Sequence, residues 1–309
     1  MSLYEKAISK EAVLELHFDS DPSNPRKDEK DNKAEGWIGT MVCWHSRYTL
    51  GDEHNHEDTR DLFRSLVEEY SQAEFTIRYI GKAMRSEFRG IQPAKENGRW
   101  ILANKEGIAL NGHTFTTRDL AREALAIEKA EWTERAIDEE LKTSQLLEII
   151  QYYYVIKPLF LYDHSGISIS TGSFVGRAHH AEWDSAQVGW IYAEKTDLMN
   201  KTAYSKGELF GKKSRRADTI LRGEVEVYDT YLRGEILSYS LYEVDTEALE
   251  AYLLEENIEL KELPYEDLQV LMTETDSCTG FFGVDAKTNG IADHIPKQYQ
   301  HLLDLLQLA

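Results

Sequence analysis

Between Glu243 and Asp276 the chain carries twelve Asp/Glu and a single Lys, a net of −11 out of −20 for all 309 residues. Charges at that density have to stay hydrated, so any helix or strand built here can bury only one face. The spacing agrees: Asp245 or Thr246 caps a helix that keeps Leu249, Tyr252 and Leu253 on one side and a row of Glu on the other. Such a field repels nucleic acid and seeks basic surfaces, which points to a protein partner that itself grips DNA or RNA. Solvation of a surface is the commoner use of an acidic stretch.

A chain of this length with 41% hydrophobic residues buries roughly three quarters of its unfolded surface, enough for one large core or two smaller ones. Cys43 and Cys278 are too few for a disulfide framework and lack zinc-knuckle spacing, so reduced thiols are expected. The first twenty residues hold no continuous apolar run, which predicts neither a secretory signal nor a membrane span and leaves the protein in the cytoplasm that makes it. Charge is uneven: residues 76–105 and 201–223 each carry seven Lys/Arg against two acids. Opposite patches on copies of one chain complement each other, so homo-oligomerisation is an expectation. It requires apolar contacts as well, because salt screens exposed charges beyond about 8 Å.

The pattern predicts an α+β fold: a mixed sheet core with flanking helices and an inserted α/β module. Strands are expected at Ala12–Phe18, Trp37–Trp44, Phe75–Ile80, Arg99–Ala103, Gly107–Phe115, Tyr152–Tyr162, Ile167–Thr171, Val188–Ala193 and Ile236–Val244. Asp58 or Thr59 caps a helix with Leu62, Phe63, Leu66, Val67 and Tyr70 at helical spacing, and Thr116 or Thr117 opens a long helical stretch toward Tyr152. Glu224–Leu232 reads as helix, Gln298–Leu308 as a short helix apolar on more than one side, and Asp19–Glu35 as a charged loop whose composition forms no core. The expected organisation is a core from residues 1–72 and 150–309 with an inserted module at 73–149.

Three segments carry residue types capable of chemistry. His45, Asp52, Glu53, His54, His56 and Asp58 supply nitrogen and oxygen ligands within one loop, but without the HExxH spacing that puts two imidazoles on one helix face. A polar turn with capping acids is the simpler reading. Asp163, His164 and Ser165 are triad types, yet adjacent side chains on a strand face opposite ways, so a tight turn through Gly166 explains them better. His179, His180, Glu182 and Asp184 precede an aromatic strand in which Trp183, Trp190 and Tyr192 suit core or interface anchors. Phosphate-binding, dinucleotide and nucleophile-elbow motifs are absent, and Lys212–Arg216 alone is a thin basis for nucleic-acid binding.

Five ordered motifs carry a family resemblance: GTMVCWHSRYTLGDEH (Gly39 to His54), PLFLYDHSGISIS (Pro158 to Ser170), WDSAQVGWIY (Trp183 to Tyr192), LRGEVEVYDTYLRGE (Leu221 to Glu235) and DSCTGFFG (Asp276 to Gly283). Together they resemble a family of proteins spread among phages and prophages. This chain departs from that pattern at Ala186, where the relatives have Gly, and at GRAHHAE, where they have a short Cys-Pro segment. Size, acidity and the lack of a catalytic motif look like the anti-Gabija inhibitors, phage proteins that block a bacterial defence complex built from a DNA-cutting nuclease and a helicase-like partner. The resemblance implies a non-enzymatic protein of the host-cell cytoplasm that assembles in several copies around that complex and prevents DNA engagement.

On this reading Glu250, Glu255, Glu256 and Glu259 meet Lys/Arg on the target, while Trp183 and Tyr252 supply anchors. No cofactor, membrane or direct nucleic-acid partner is expected. One rival is a metal-dependent hydrolase using His45, His54, His56, Asp163 and His164; another is a self-assembling structural phage protein.

Overall fold

The computed structural model describes residues 2–27, 35–83, 90–164 and 166–308. Its strands are β1 (Ser2–Ile8), β2 (Ala12–Phe18), β3 (Thr40–Cys43), β4 (Gln92–Glu96), β5 (Arg99–Ala103), β6 (Tyr154–Asp163), β7 (Ile167–Ser170), β8 (Ser185–Glu194), β9 (Ile236–Val244), β10 (Met272–Phe282) and β11 (Gln307–Leu308). Its α-helices are α1 (Thr59–Glu68), α2 (Glu74–Ala83), α3 (Arg118–Arg135), α4 (Thr143–Tyr153), α5 (Ala181–Asp184), α6 (Lys195–Lys201), α7 (Lys206–Phe210), α8 (Arg216–Leu232), α9 (Thr246–Glu256), α10 (Tyr265–Val270) and α11 (Ile291–His294). The fold is α+β. Its strands form three separate sheets in place of one mixed sheet, in the orders β10-β9-β2-β1-β11, β3-β8-β6-β7 and β4-β5.

Two compact units divide the chain, one made of Met1–Gly39, Pro158–Val188 and Thr219–Ala309, the other of Thr40–Lys157 and Gly189–Asp218. The first is built on the five-stranded sheet, whose neighbours all pair antiparallel. Leu14, Leu16, Leu237 and Tyr239 pack against Ile291, Ile295, Tyr299 and Leu302, while Val13 and Val244 pack against Leu249 and Leu268 of α9 and α10. Alternating side chains thus bury both faces of the central strands. Four strands escaped the sequence reading: β1, β4, β10 and the short β11. β1 mixes charged and apolar residues at intermediate burial, and β10 is an outer strand whose acids and two register shifts are the usual protection of an edge.

In the first unit a loop expected to contribute nothing to the core buries a charge. Arg26 is fully buried, its Nη1 lies 3.7 Å from Oε2 of Glu224 on α8, and its Nη2 donates to the Gly39 carbonyl at 2.8 Å. Glu224 also accepts from the Ile38 and Gly39 amides at 2.8 and 3.0 Å, and the guanidinium sits over the Trp37 ring. Those amides turn toward Glu224 instead of a neighbouring strand, so β3 begins at Thr40 and not at Trp37. Residues 28–34 of the same loop lie outside the described set.

In the second unit α1 buries Leu62, Phe63, Leu66 and Val67, with Asp58 capping the Asp61 amide. They share one core with Ile80, Leu141, Leu146, Ile149 and Tyr154, so the helices expected inside an insertion at 73–149 pack with α1 and β6. Among the described residues, Ile91, Leu102, Ala121 and Leu125 form a separate small core, joining the β4–β5 hairpin to the start of α3. Phe75–Ile80 is helix, not strand: its period-two apolar residues mislead, whereas the buried Thr76 and Ile80 are one turn apart. Gly107–Phe115 touches β5 only at two isolated bridges, because the Asn104 side chain and Gly107 close a turn. The long helix breaks in two. A π-turn at Ala136–Glu140 and an extended Leu141 let Ala136, Ile137 and Leu141 all reach the core before α4 begins. In the first unit, Gln298–Leu308 likewise resolves into 3₁₀ turns at Lys297–Asp304 and the short β11.

Tyrosine hydroxyls recur beside carboxylates. Tyr154 donates to Glu69 at 2.5 Å, Tyr79 to Glu148 at 2.6 Å, and Tyr70 to Glu194. Burial, then the bond to Glu148, pushes the Tyr79 phenol up to about 12; burial, then the field of Glu69, pushes Tyr192 up to about 12. Tyr70 and Tyr154 are raised further for the same causes. A raised phenol stabilises the fold fully below its unfolded value of 10.0 and loses that contribution as pH climbs through the folded one. Thermal unfolding followed against pH is therefore expected to fall steeply from pH 10 to 12, with part of the phenolate absorbance appearing only as the protein unfolds. Backbone approach gives a second prediction. A Cβ on Gly189 would stand 2.0 Å from the Val42 carbonyl oxygen, where β3 and β8 pair, while one on Gly223 of α8 meets nothing within 4 Å. Denaturant unfolding should show Gly189→Ala costing about 1–3 kcal/mol or more and Gly223→Ala gaining about 0.5–1 kcal/mol.

Candidate functional site

The histidine loop follows β3 and lines a cavity of about 690 Å³ with Trp44, His45, Asp52 and His54. Asp52 is buried, and it exchanges two bonds with Met41: its side chain accepts the Met41 amide at 2.9 Å and its amide donates to the Met41 carbonyl at 2.8 Å. Gly51, at φ +73°, permits this return, since a Cβ there would lie 2.5 Å from the Met41 oxygen. Each imidazole is bound by the loop itself or by the strand or helix that flanks it. His45 Nδ1 accepts from the Arg47 and Tyr48 amides, His54 Nε2 donates to the Cys43 carbonyl at 2.9 Å, and His56 Nδ1 lies 3.5 Å from Asp61. Among the described residues no three His, Cys, Asp or Glu side chains gather as a metal-ligand set. The ligand types are present, but the loop uses them to hold its own backbone.

The second and third motifs, read separately in sequence, come together in the first unit. β6 ends at Asp163, the His164 amide bonds the Gly166 carbonyl across a turn, and His164 Nδ1 lies 3.0 Å from Oδ2 of Asp184 on α5. Ser165 lies outside the described residues. Tyr162 donates to the His179 carbonyl at 2.8 Å, and His180 takes left-handed φ +56° to start α5. A carboxylate on Nδ1 fixes the orientation of the ring, which serves a base or a structural pin equally well. His45, His54 and His56 belong to one unit and Asp163 and His164 to the other. The result of this local folding is that α5 turns Trp183 outward, 87% exposed, as an interface anchor would be and a core residue is not.

The acidic helices carry the rest of the surface chemistry. Asp245 caps α9 by accepting the Ala248 amide, and Asn257, at φ +55°, ends it. Leu249 is buried beneath the sheet-facing side. Tyr252 is half-buried and donates to Asp267 at 3.1 Å, so it ties α9 to α10 and does not project as an anchor. Glu250 lies 3.8 Å from Lys10 and Glu259 2.8 Å from Lys261, both exposed pairs of small worth, while Glu255 and Glu256 make no ion pair among the described residues. Sequence reasoning missed two residues here: Leu254, 84% exposed, and Val270, 83% exposed. The signal for Leu254 is its place beside Leu253, since two successive residues of a helix cannot both face one core. In the second unit Lys206, Lys212 and Lys213 are exposed without an ion pair among the described residues, and Arg216 stacks on Tyr204.

Among the described residues no helix is long and apolar enough to cross a membrane. Comparison of the chain with protein-family models, with curated proteins and with solved structures gives no match. If Trp183 and Leu254 serve contacts beyond the chain, the fold should not need them. Trp183→Ala and Leu254→Ser are expected to change unfolding free energy by no more than about 0.5 kcal/mol, against a loss of about 2–5 kcal/mol for Leu249→Ala, all measured by denaturant titration.

Proposed function

We propose that this chain is a non-enzymatic inhibitor that works by covering a basic surface on another protein. One juxtaposition supports the reading. On α9 Glu250 stands one turn before the exposed Leu254, with Glu255 and Glu256 following; on α10 Glu266 stands one turn before the exposed Val270. An apolar residue left in water and ringed by carboxylates suits a partner surface that is cationic around a shallow apolar site. Carboxylates of this kind govern how fast partners meet, and desolvated aromatic and aliphatic anchors govern how long they stay.

The family resemblance supplies the target: a bacterial defence complex of the Gabija type, whose nuclease must present a cationic surface to DNA. An acidic protein seated on that surface competes with DNA without making or breaking a bond. Assembly of several copies fits the same charge pattern, because the exposed lysines of residues 206–213 complement the acidic helices of another copy. The site of action is then the host-cell cytoplasm.

Purified chain and nuclease complex test this directly. Changing Glu250, Glu255, Glu256 and Glu259 together to Lys is expected to slow association by about tenfold or more, and added salt should slow the unaltered chain in the same way. Trp183→Ala should accelerate dissociation, at a cost of about 2 kcal/mol in affinity. Association rates and nuclease inhibition that survive both sets of changes would remove the proposal.

A further inference from the structure

A second cavity, in the first unit, has the opposite character from the acidic face. It encloses about 460 Å³, within the range of small-molecule sites. Its walls are aliphatic: Ile8 of β1, Leu260 and Leu263 between α9 and α10, and Leu305 and Leu308. In a chain with 55 Asp/Glu against 35 Lys/Arg, the charged residues that line it, among the described residues, are Lys6 and Lys261, with no carboxylate.

Lys6 is available to an anion, and Lys261 shares a solvent-exposed pair that an anion can compete for. Lys6 Nζ lies 4.0 Å from the centroid of the Tyr265 ring and makes no ion pair among the described residues. Glu15 is its register partner on β2, but that carboxylate accepts from the Tyr265 hydroxyl and meets His17 Nε2 at 3.0 Å. Among the described residues, Lys261 pairs with the exposed Glu259 at 2.8 Å. Other occupants fit less well. The lining holds no aromatic ring on which a base could stack, and the β1 edge at Lys6 is already paired with Gln307, so an incoming strand finds no free rung there. Leu305 and Leu308 leave aliphatic surface in water, Leu308 at 75% exposure, which an alkyl chain would cover.

We propose that this cavity binds a medium-chain fatty acid, its alkyl chain against Ile8 and the leucines and its carboxylate toward Lys6 and Lys261. The full chain is titrated by calorimetry with decanoate, octanoate and decanol, all below micelle formation. One decanoate should bind per chain, and octanoate about fifteenfold more weakly, since each methylene is worth about fourfold. Changing Lys6 and Lys261 together to Gln is expected to weaken decanoate about tenfold and to leave decanol unchanged. Leu308→Asp, at an exposed position, should weaken both, with circular dichroism confirming that each variant is folded. Absence of saturable decanoate binding, affinity independent of chain length, or binding unmoved by these substitutions would overturn the proposal. So would a change in the mass of the protein on Leu308→Asp without any decanoate binding, which would assign the surface to a second copy of the chain.

Discussion

The hydrogen bond from a tyrosine hydroxyl to a carboxylate recurs throughout this protein. With 55 Asp/Glu and 35 Lys/Arg, cations are too few to neutralise every acid that the fold brings near its cores. Among the described residues, seven phenols take their place: Tyr70 on Glu194, Tyr79 on Glu148, Tyr154 on Glu69, Tyr239 on Asp276, Tyr252 on Asp267, Tyr265 on Glu15 and Tyr299 on Glu243. A phenol donates to an ionised carboxylate through a charge-assisted bond, and its ring fills apolar space that a lysine stem fills poorly. The most deeply buried case shows the consequence. Glu15 lies inside the five-stranded sheet, where an unpaired carboxylate would cost several kcal/mol, and the Tyr265 hydroxyl lets it remain there.

Where the fold does bury a cation, it surrounds it with backbone. Arg26 and Glu224 lie near each other, but the closer contacts are to Gly39 and to the amides of Ile38 and Gly39. A buried ion pair alone scarcely recovers the loss of hydration, and these additional bonds shift the balance. Five residues along α8, Asp229 repeats the device by accepting the Ser168 hydroxyl and the Ile169 amide, both at 2.7 Å. One helix thus anchors the loop before β3 and the strand after the His164 turn. The His164 turn leads directly into that second anchored strand.

Surface charge sorts what each face can meet. The helices α9 and α10 present carboxylates around exposed apolar residues, and the nearby cavity presents two lysines beside partly exposed aliphatic ones. On the two proposals above, a basic protein and an anionic small molecule would meet neighbouring places, joined by the Glu259–Lys261 pair. The histidine loop takes part in neither. Its rings are engaged with Cys43, Asp61 and their own backbone, so residue type without convergence there builds a turn.

Much of the local structure was legible in the sequence. The spans of β2 and β9, the buried stripe of α1, and the caps to within one of two neighbours, among which the structure selects Asp58, Thr117 and Asp245, follow from period and capping chemistry, which act within a few residues. So did the acidic character of α9, since charge density needs no fold to be read. Contacts between distant residues decided the remainder. Phe75–Ile80 became helix because Thr76 and Ile80 meet a core assembled from α1, α4 and β6. The YDHSG and HHAEWD segments met because a turn and a short helix converge, and Glu15 found Tyr265 across 250 residues. A hydrogen bond or a buried contact is indifferent to separation along the chain, whereas periodicity records only near neighbours. Composition therefore determined that carboxylates would dominate the surface, and tertiary structure alone determined which phenol, amide or lysine each one would face.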